Sequence, residues 1–222
     1  MADPICPEGA AKTRRAQTAG EERANALSHA VGLVAALVGI PILVVNAARH
    51  GRAVDVGAAA VFGATVALLY LTSTLYHAAT IAERKRWLRK LDHSAIFLLI
   101  AGSYTPFTLG VLGGGWGWSL FGVVWGLAAV GIAHTLVAGV RWPILRVAVY
   151  VAMGWLMLIA IRPLWASMPA PGIALIVAGG VSYTGGVGFY GAPRMRYAHL
   201  VWHVFVLLGT TFHFFAVLRY AV

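Results

Sequence analysis

The sequence predicts an all-α integral membrane protein: a bundle of seven transmembrane helices, with the N-terminus cytoplasmic and the C-terminus outside. Three observations predict it. Of the 222 residues, 60% are hydrophobic and 11% charged, with a mean hydropathy of +0.79. A soluble domain carries about 25% charged residues, and no core of this size hides so much apolar surface from water, so the solvent is lipid. The apolar residues also fall in seven continuous runs rather than alternating, which favours helices over a closed barrel, the other structure able to span lipid. Finally, with the N-terminus inside, 13 of the 17 Lys and Arg residues fall on the inner side, as membrane orientation requires.

The opening MADPICPEGAAKTRRAQTAGEER lacks an apolar run after its basic residues, so it does not read as a cleavable signal peptide. Residues 1–23 read as a disordered cytoplasmic tail, ending in an interfacial turn near Glu21–Arg23, and 24–222 as the membrane domain. Its lone cysteine, Cys6, excludes an internal disulfide and a cysteine-rich metal site. The spans are expected at 27–47, 55–78, 92–112, 117–139, 145–162, 172–191 and 198–218. Arg162-Pro163 and the stretch GGVSYTGGVG blur the ends of the fifth and sixth, and the sixth is expected to be kinked or loosely packed. In the fourth, Gly122 and Gly126 form a GxxxG suited to close helix packing. Trp116, Trp118 and Trp87 fall at predicted interfaces, as an aromatic belt requires.

The net charge of +10 does not point to nucleic acid, because the basic residues sit in short loops between spans. ERKRWLRK (83–90) reads as an inner-surface anchor for anionic headgroups. A retinal-type pigment is excluded by the absence of lysine from the last span.

Depth along the spans then places the polar residues. His77 ends the second span, Asp92 opens the third, and His199 and His203 open the seventh, so all four reach the inner face. His199 and His203 are four residues apart and share one helical face; Ser73 lies one turn deeper than His77 on its face. A single histidine in a span ordinarily bonds a nearby carbonyl or serine. Three at one depth, with a fourth position open, match a catalytic zinc site. Without an HExxH motif, Asp92 is the candidate water activator; the alternative is an interfacial carboxylate paired with Lys90 or Arg89. His213 lies about 15 Å from His203 along the helix, too far to share the ion. His50 falls in an outer loop; His29 reads as a supporting residue, and His93, about 100° from Asp92 on the helix, as serving a different purpose. No role is assigned to His134.

The segments SxxxH (Ser73–His77), KLDHSAIFLLIAGSYTPF from Lys90, and HxxxH (His199–His203) resemble the bacterial hemolysin III family, grouped with the progestin and adipoQ receptors, adiponectin receptors included. NALSH (Asn25–His29) is similar to the start of that family's first span, and the resemblance covers essentially everything after the tail. It implies a seven-helix protein of a bacterial inner membrane with Zn2+ near the cytoplasmic face. His77, His199 and His203 would be the metal ligands, Asp92 would hold or activate water, and Ser73 would lie close by. Kinship with alkaline ceramidases implies hydrolysis of a lipid amide or ester, with membrane lipids as partners and the substrate entering sideways between helices. A receptor-like or stress-response protein with structural zinc, and a lytic protein, are the competing expectations. One departure is His93, where adiponectin receptors typically carry tyrosine.

Overall fold

The computed structural model describes residues 15–140, 142–192 and 194–221. Residues 1–14, the greater part of the expected tail, lie outside them. Among the described residues, seven helical spans are long and apolar enough to cross a membrane, and strands are absent. The spans are α1 (Ala19–His50), α2 (Ala53–Ala78), α3 (Ala82–Thr105, continued by a π-helical turn Pro106–Leu112) and α4 (Gly114–Ala138). The fifth comprises α5 (Pro143–Gly154), a 3-10 turn Leu156–Ala160 and α6 (Ile161–Ser167); α7 (Ala170–Tyr190) and α8 (Ala198–Tyr220) complete the bundle.

The helix α1 starts at Ala19, ahead of the expected span, because Thr18 and Glu21 form a capping box: the Glu21 N–H donates to Thr18 Oγ1 at 3.3 Å and the Thr18 N–H to Glu21 Oε2 at 2.9 Å. Ala19–Arg23 are therefore the first turn of a helix rather than the end of a tail. Along α1 the buried positions Asn25, His29, Gly32, Gly39, Leu43 and Ala47 recur at spacings of three, four or seven residues, on one helical face, while Leu27, Val31, Val34 and Val38 are over 60% exposed. Small and polar residues face inward and branched apolar ones outward, the pattern of a helix solvated by lipid. ERKRWLRK is helical too, forming the first turns of α3.

Consecutive helices α1 to α4 pack side by side, α7 packs on α8, and α8 closes back on α1. The α1–α8 approach is close: a Cβ on Gly32 would lie 2.6 Å from Leu207 Cδ2. The helix α5 makes only sparse contact with α3 and α7, and a partly open, mainly apolar cavity lies beside it.

Two departures from the expected spans shape that cavity. The break falls in the fifth span, at Trp155, and not in the sixth. There the Tyr104 hydroxyl accepts from the Met157 N–H at 2.9 Å and donates to the carbonyl of Met153 or Gly154, each 2.8 Å away. One buried side chain thus satisfies the backbone groups freed by the break, which lipid would leave unpaired. The glycine-rich α7 is one continuous helix, and a Cβ on Gly186 would meet Phe205 and Trp202 of α8 at 2.7–2.8 Å. Its glycines permit tight packing instead of a kink. The GxxxG of α4 does not pack as expected: no atom lies within 4 Å of a Cβ built on Gly122 or Gly126. Trp87, Trp116 and Trp118 are exposed near helix starts.

Candidate metal centre

The end of α2 and the first turns of α8 bring His77, His199 and His203 together. One ring nitrogen from each lies within 4.8 Å of the other two, and the ring centroids are separated by 5.0, 5.1 and 4.6 Å. The turn that aims α8 is strained. Tyr197, its N-cap, has φ 57°, and its N–H donates to Glu21 Oε1 at 2.9 Å. A bulky residue adopts left-handed backbone only when its surroundings hold it there, and here Glu21 of α1 does so.

Hydrogen bonds settle which nitrogen two of the rings offer. His77 Nδ1 lies 2.7 Å from Glu22 Oε2. A carboxylate only accepts, so Nδ1 carries a proton, and in the neutral ring the lone pair is on Nε2. His203 Nδ1 lies 2.9 Å from Ser28 Oγ and 3.2 Å from the Asn25 carbonyl. The Ser28 hydroxyl spends its single proton on that carbonyl, 2.8 Å away, so His203 Nδ1 donates and its Nε2 is likewise the free base. His77 Nε2 is buried without a hydrogen-bond partner, an arrangement costing about 1–3 kcal/mol unless something binds it. Three imidazoles, each with a ring nitrogen within 4.8 Å of the other two, fit zinc, whose structural and catalytic sites use such donors; the same donors also suit other transition metals.

The remaining predicted residues line the adjoining cavity. Ser73, Asp92, His29, His199 and His203 all contribute to its wall. Asp92 is buried, and its contact is His93, whose Nδ1 lies 3.2 Å from Asp92 Oδ2. Lys90, the alternative partner, instead donates to the Leu136 carbonyl at 2.9 Å. So Asp92 and His93, set apart by sequence geometry, touch through side-chain reach, and Tyr150 O–H fixes the His93 carbonyl at 2.6 Å. His29 stacks on His203 with centroids 3.6 Å apart and rings 6° from parallel, both its nitrogens without hydrogen-bond partners. His213 lies elsewhere on the cavity wall, near the Ile176 carbonyl (3.2 Å). His134 stacks on Trp142, and His50 bonds the Asn46 carbonyl; neither belongs to the trio.

Sequence reasoning missed three contributors. Glu22 and Ser28 lie before or at the edge of the first apolar run, yet Glu22, Asn25 and His29, at i, i+3 and i+7, mark one polar face of α1 and are a readable signal. Arg146, at the inner start of the fifth span, reads from the sequence only as one of the inner-side charges. It stands on α5, 7% exposed, lining the cavity, with Nη1 and Nη2 lacking hydrogen-bond partners.

The family model described as "Haemolysin-III related" matches residues 17–214. The chain belongs to that family. It is 43% identical over 205 residues to a hemolysin-3 homolog of Bacillus subtilis (strain 168), covering 92% of this chain and 96% of the relative. It is 40% identical over 208 residues to hemolysin-3 of Bacillus cereus, covering 94% and 95%. A more distant relative is the human monocyte to macrophage differentiation factor, 26% identical over 225 residues, covering 95% of this chain and 88% of that protein. This haemolysin-III related chain is thus an integral membrane protein with a three-histidine group able to hold a metal ion.

Proposed function

We propose that this haemolysin-III related protein is a zinc-dependent hydrolase that cleaves an amide or ester of a membrane lipid at the cytoplasmic leaflet of a bacterial inner membrane. The observation that carries the reading is the position of the three-histidine group against an apolar cavity that also contains Asp92 and Ser73. A bound zinc ion supplies Lewis acidity and water activation near neutral pH. His77, His199 and His203 would hold it. Asp92 is the general base, taking a proton from the attacking water and returning it to the departing amine or alkoxide. Ser73 O–H donates a hydrogen bond toward the negative charge that develops on the carbonyl oxygen. Water adds across the scissile bond: the acyl part leaves as a carboxylic acid, the other part as amine or alcohol. Leu69, Ile96, Ile100, Val147 and Val151 on the cavity wall suit an acyl chain, and the sparse packing of α5 is consistent with a lipid entering sideways. The unpaired Arg146 guanidinium supplies a cation matched to the carboxylate product.

A second reading, a receptor-like protein in which zinc is structural, is favoured by the way the trio ties α2 to α8. Asp92→Asn separates the two. The hydrolase reading expects the variant to keep its zinc while lipid hydrolysis falls by about 10²-fold or more, the usual contribution of a general base. Full hydrolysis by Asp92→Asn would refute the assigned role, and a zinc-loaded wild type that turns over no lipid amide or ester would favour structural zinc.

A further inference from the structure

The helix α1 supplies no imidazole to the trio, yet it holds the outer nitrogen of two of them. Glu22 is the more exposed to test. One carboxylate oxygen, Oε2, accepts from His77 Nδ1 at 2.7 Å; the other, Oε1, lies 2.9 Å from Lys85 Nζ. The side chain of His77 is 1% exposed, that of Glu22 22% and that of Lys85 29%. Glu22 therefore stands at the border between the buried centre and the polar end of the bundle, where α1, α2 and α3 meet.

An ion pair serving only to fasten α1 to α3 needs Lys85 alone. The second oxygen on His77 adds two effects. It fixes the ring in the Nδ1–H form, so that the lone pair on Nε2 faces His199 and His203. It also places negative charge behind the ring, which strengthens the donor nitrogen. Carboxylates that hold metal-bound histidines in this way typically account for 10- to 100-fold in metal affinity.

We propose that Glu22 is a positioning residue of the metal centre: through His77 Nδ1 it holds His77 Nε2 toward the ion, and its carboxylate governs how tightly zinc is retained. The inference rests on the reading that the trio binds zinc, and it adds to that reading a residue outside the ligand set.

The test uses the full-length protein in detergent or nanodiscs and needs no substrate. Zinc affinity is measured by competition with a chromophoric chelator, and the melting temperature of the zinc-free form is measured beside it. Glu22→Ala is expected to weaken zinc binding by about 10- to 100-fold, and Glu22→Gln, which keeps an acceptor but loses the charge, by about 10-fold. Lys85→Met removes the α1–α3 ion pair but leaves the carboxylate on His77, so its zinc affinity is expected to stay within about threefold of wild type, below the 10- to 100-fold range for losing such a carboxylate. If Glu22→Ala does not fold, the near-isosteric Glu22→Gln reads the same quantity. Equal zinc affinity in wild type and both Glu22 variants would overturn the inference, as would a loss in Lys85→Met as large as that in Glu22→Gln, since the ion pair alone would then explain the residue. A wild type that takes up no zinc would overturn the metal reading itself, whereas zinc-loaded wild type with unaffected Glu22 variants would overturn only this inference.

Discussion

Tyr104→Phe isolates the device that lets the fifth span break inside lipid. The hydroxyl accepts one backbone N–H, from Met157, and donates to one of two carbonyls, Met153 or Gly154, at 2.8–2.9 Å. Phenylalanine keeps the ring and its packing but leaves one buried donor and one buried acceptor unmatched. Each such group costs about 1–3 kcal/mol. Because a carbonyl tolerates a missing partner better than an N–H does, we expect a total loss of about 2–4 kcal/mol. Reversible unfolding in mixed micelles, followed by circular dichroism, measures it. Zinc content is expected to stay at the wild-type level, because Tyr104 lies twelve residues beyond Asp92 on α3, and the three histidines come from α2 and α8. A loss under about 0.5 kcal/mol, the usual range for surface changes, would refute the argument that this hydroxyl satisfies the break.

Two further outcomes follow from the bundle and from the orientation that the distribution of Lys and Arg predicts. Cys6 is the lone cysteine, so an impermeant maleimide is expected to label it only after the inner membrane of spheroplasts is opened; labelling of intact spheroplasts would place the N-terminus outside. Gly32→Leu forces a side chain into Leu207 across the α1–α8 approach and is expected to destabilise by about 1–3 kcal/mol, as overpacking does; unchanged stability in the same unfolding assay would mean the two helices are not held together there.

The spans were legible because lipid solvation demands long uninterrupted apolar runs, and that demand is written locally. The break at Trp155 was not, because the group that makes it tolerable, Tyr104, lies some 50 residues earlier in the chain. Pro163 drew attention as a helix terminator but sits inside α6. GGVSYTGGVG looked like a kink because glycine has no side chain to stabilise a helix, whereas the bulky rings of Phe205 and Trp202 on α8 use that missing volume.

At the site, the i, i+4 histidines and their common depth with His77 pointed to one cluster before any coordinates. Their hydrogen-bond partners could not be ranked the same way. Glu22 meets His77 only after α1 and α2 pack, and Arg146 reads from the sequence only as one of the inner-side charges that orient the bundle. Asp92 and His93 point about 100° apart on an ideal helix, but a carboxylate and an imidazole each reach far enough to bridge that angle at 3.2 Å.

The most direct test of the central claim is elemental analysis of the protein purified in detergent without chelator, beside His203→Ala. The account predicts about one zinc per chain in the wild type, the stoichiometry of a single three-histidine site, and a small fraction of that in the variant. A well-folded wild type without zinc, or a variant that retains it fully, would contradict the account and leave His77, His199 and His203 as packing residues with local partners.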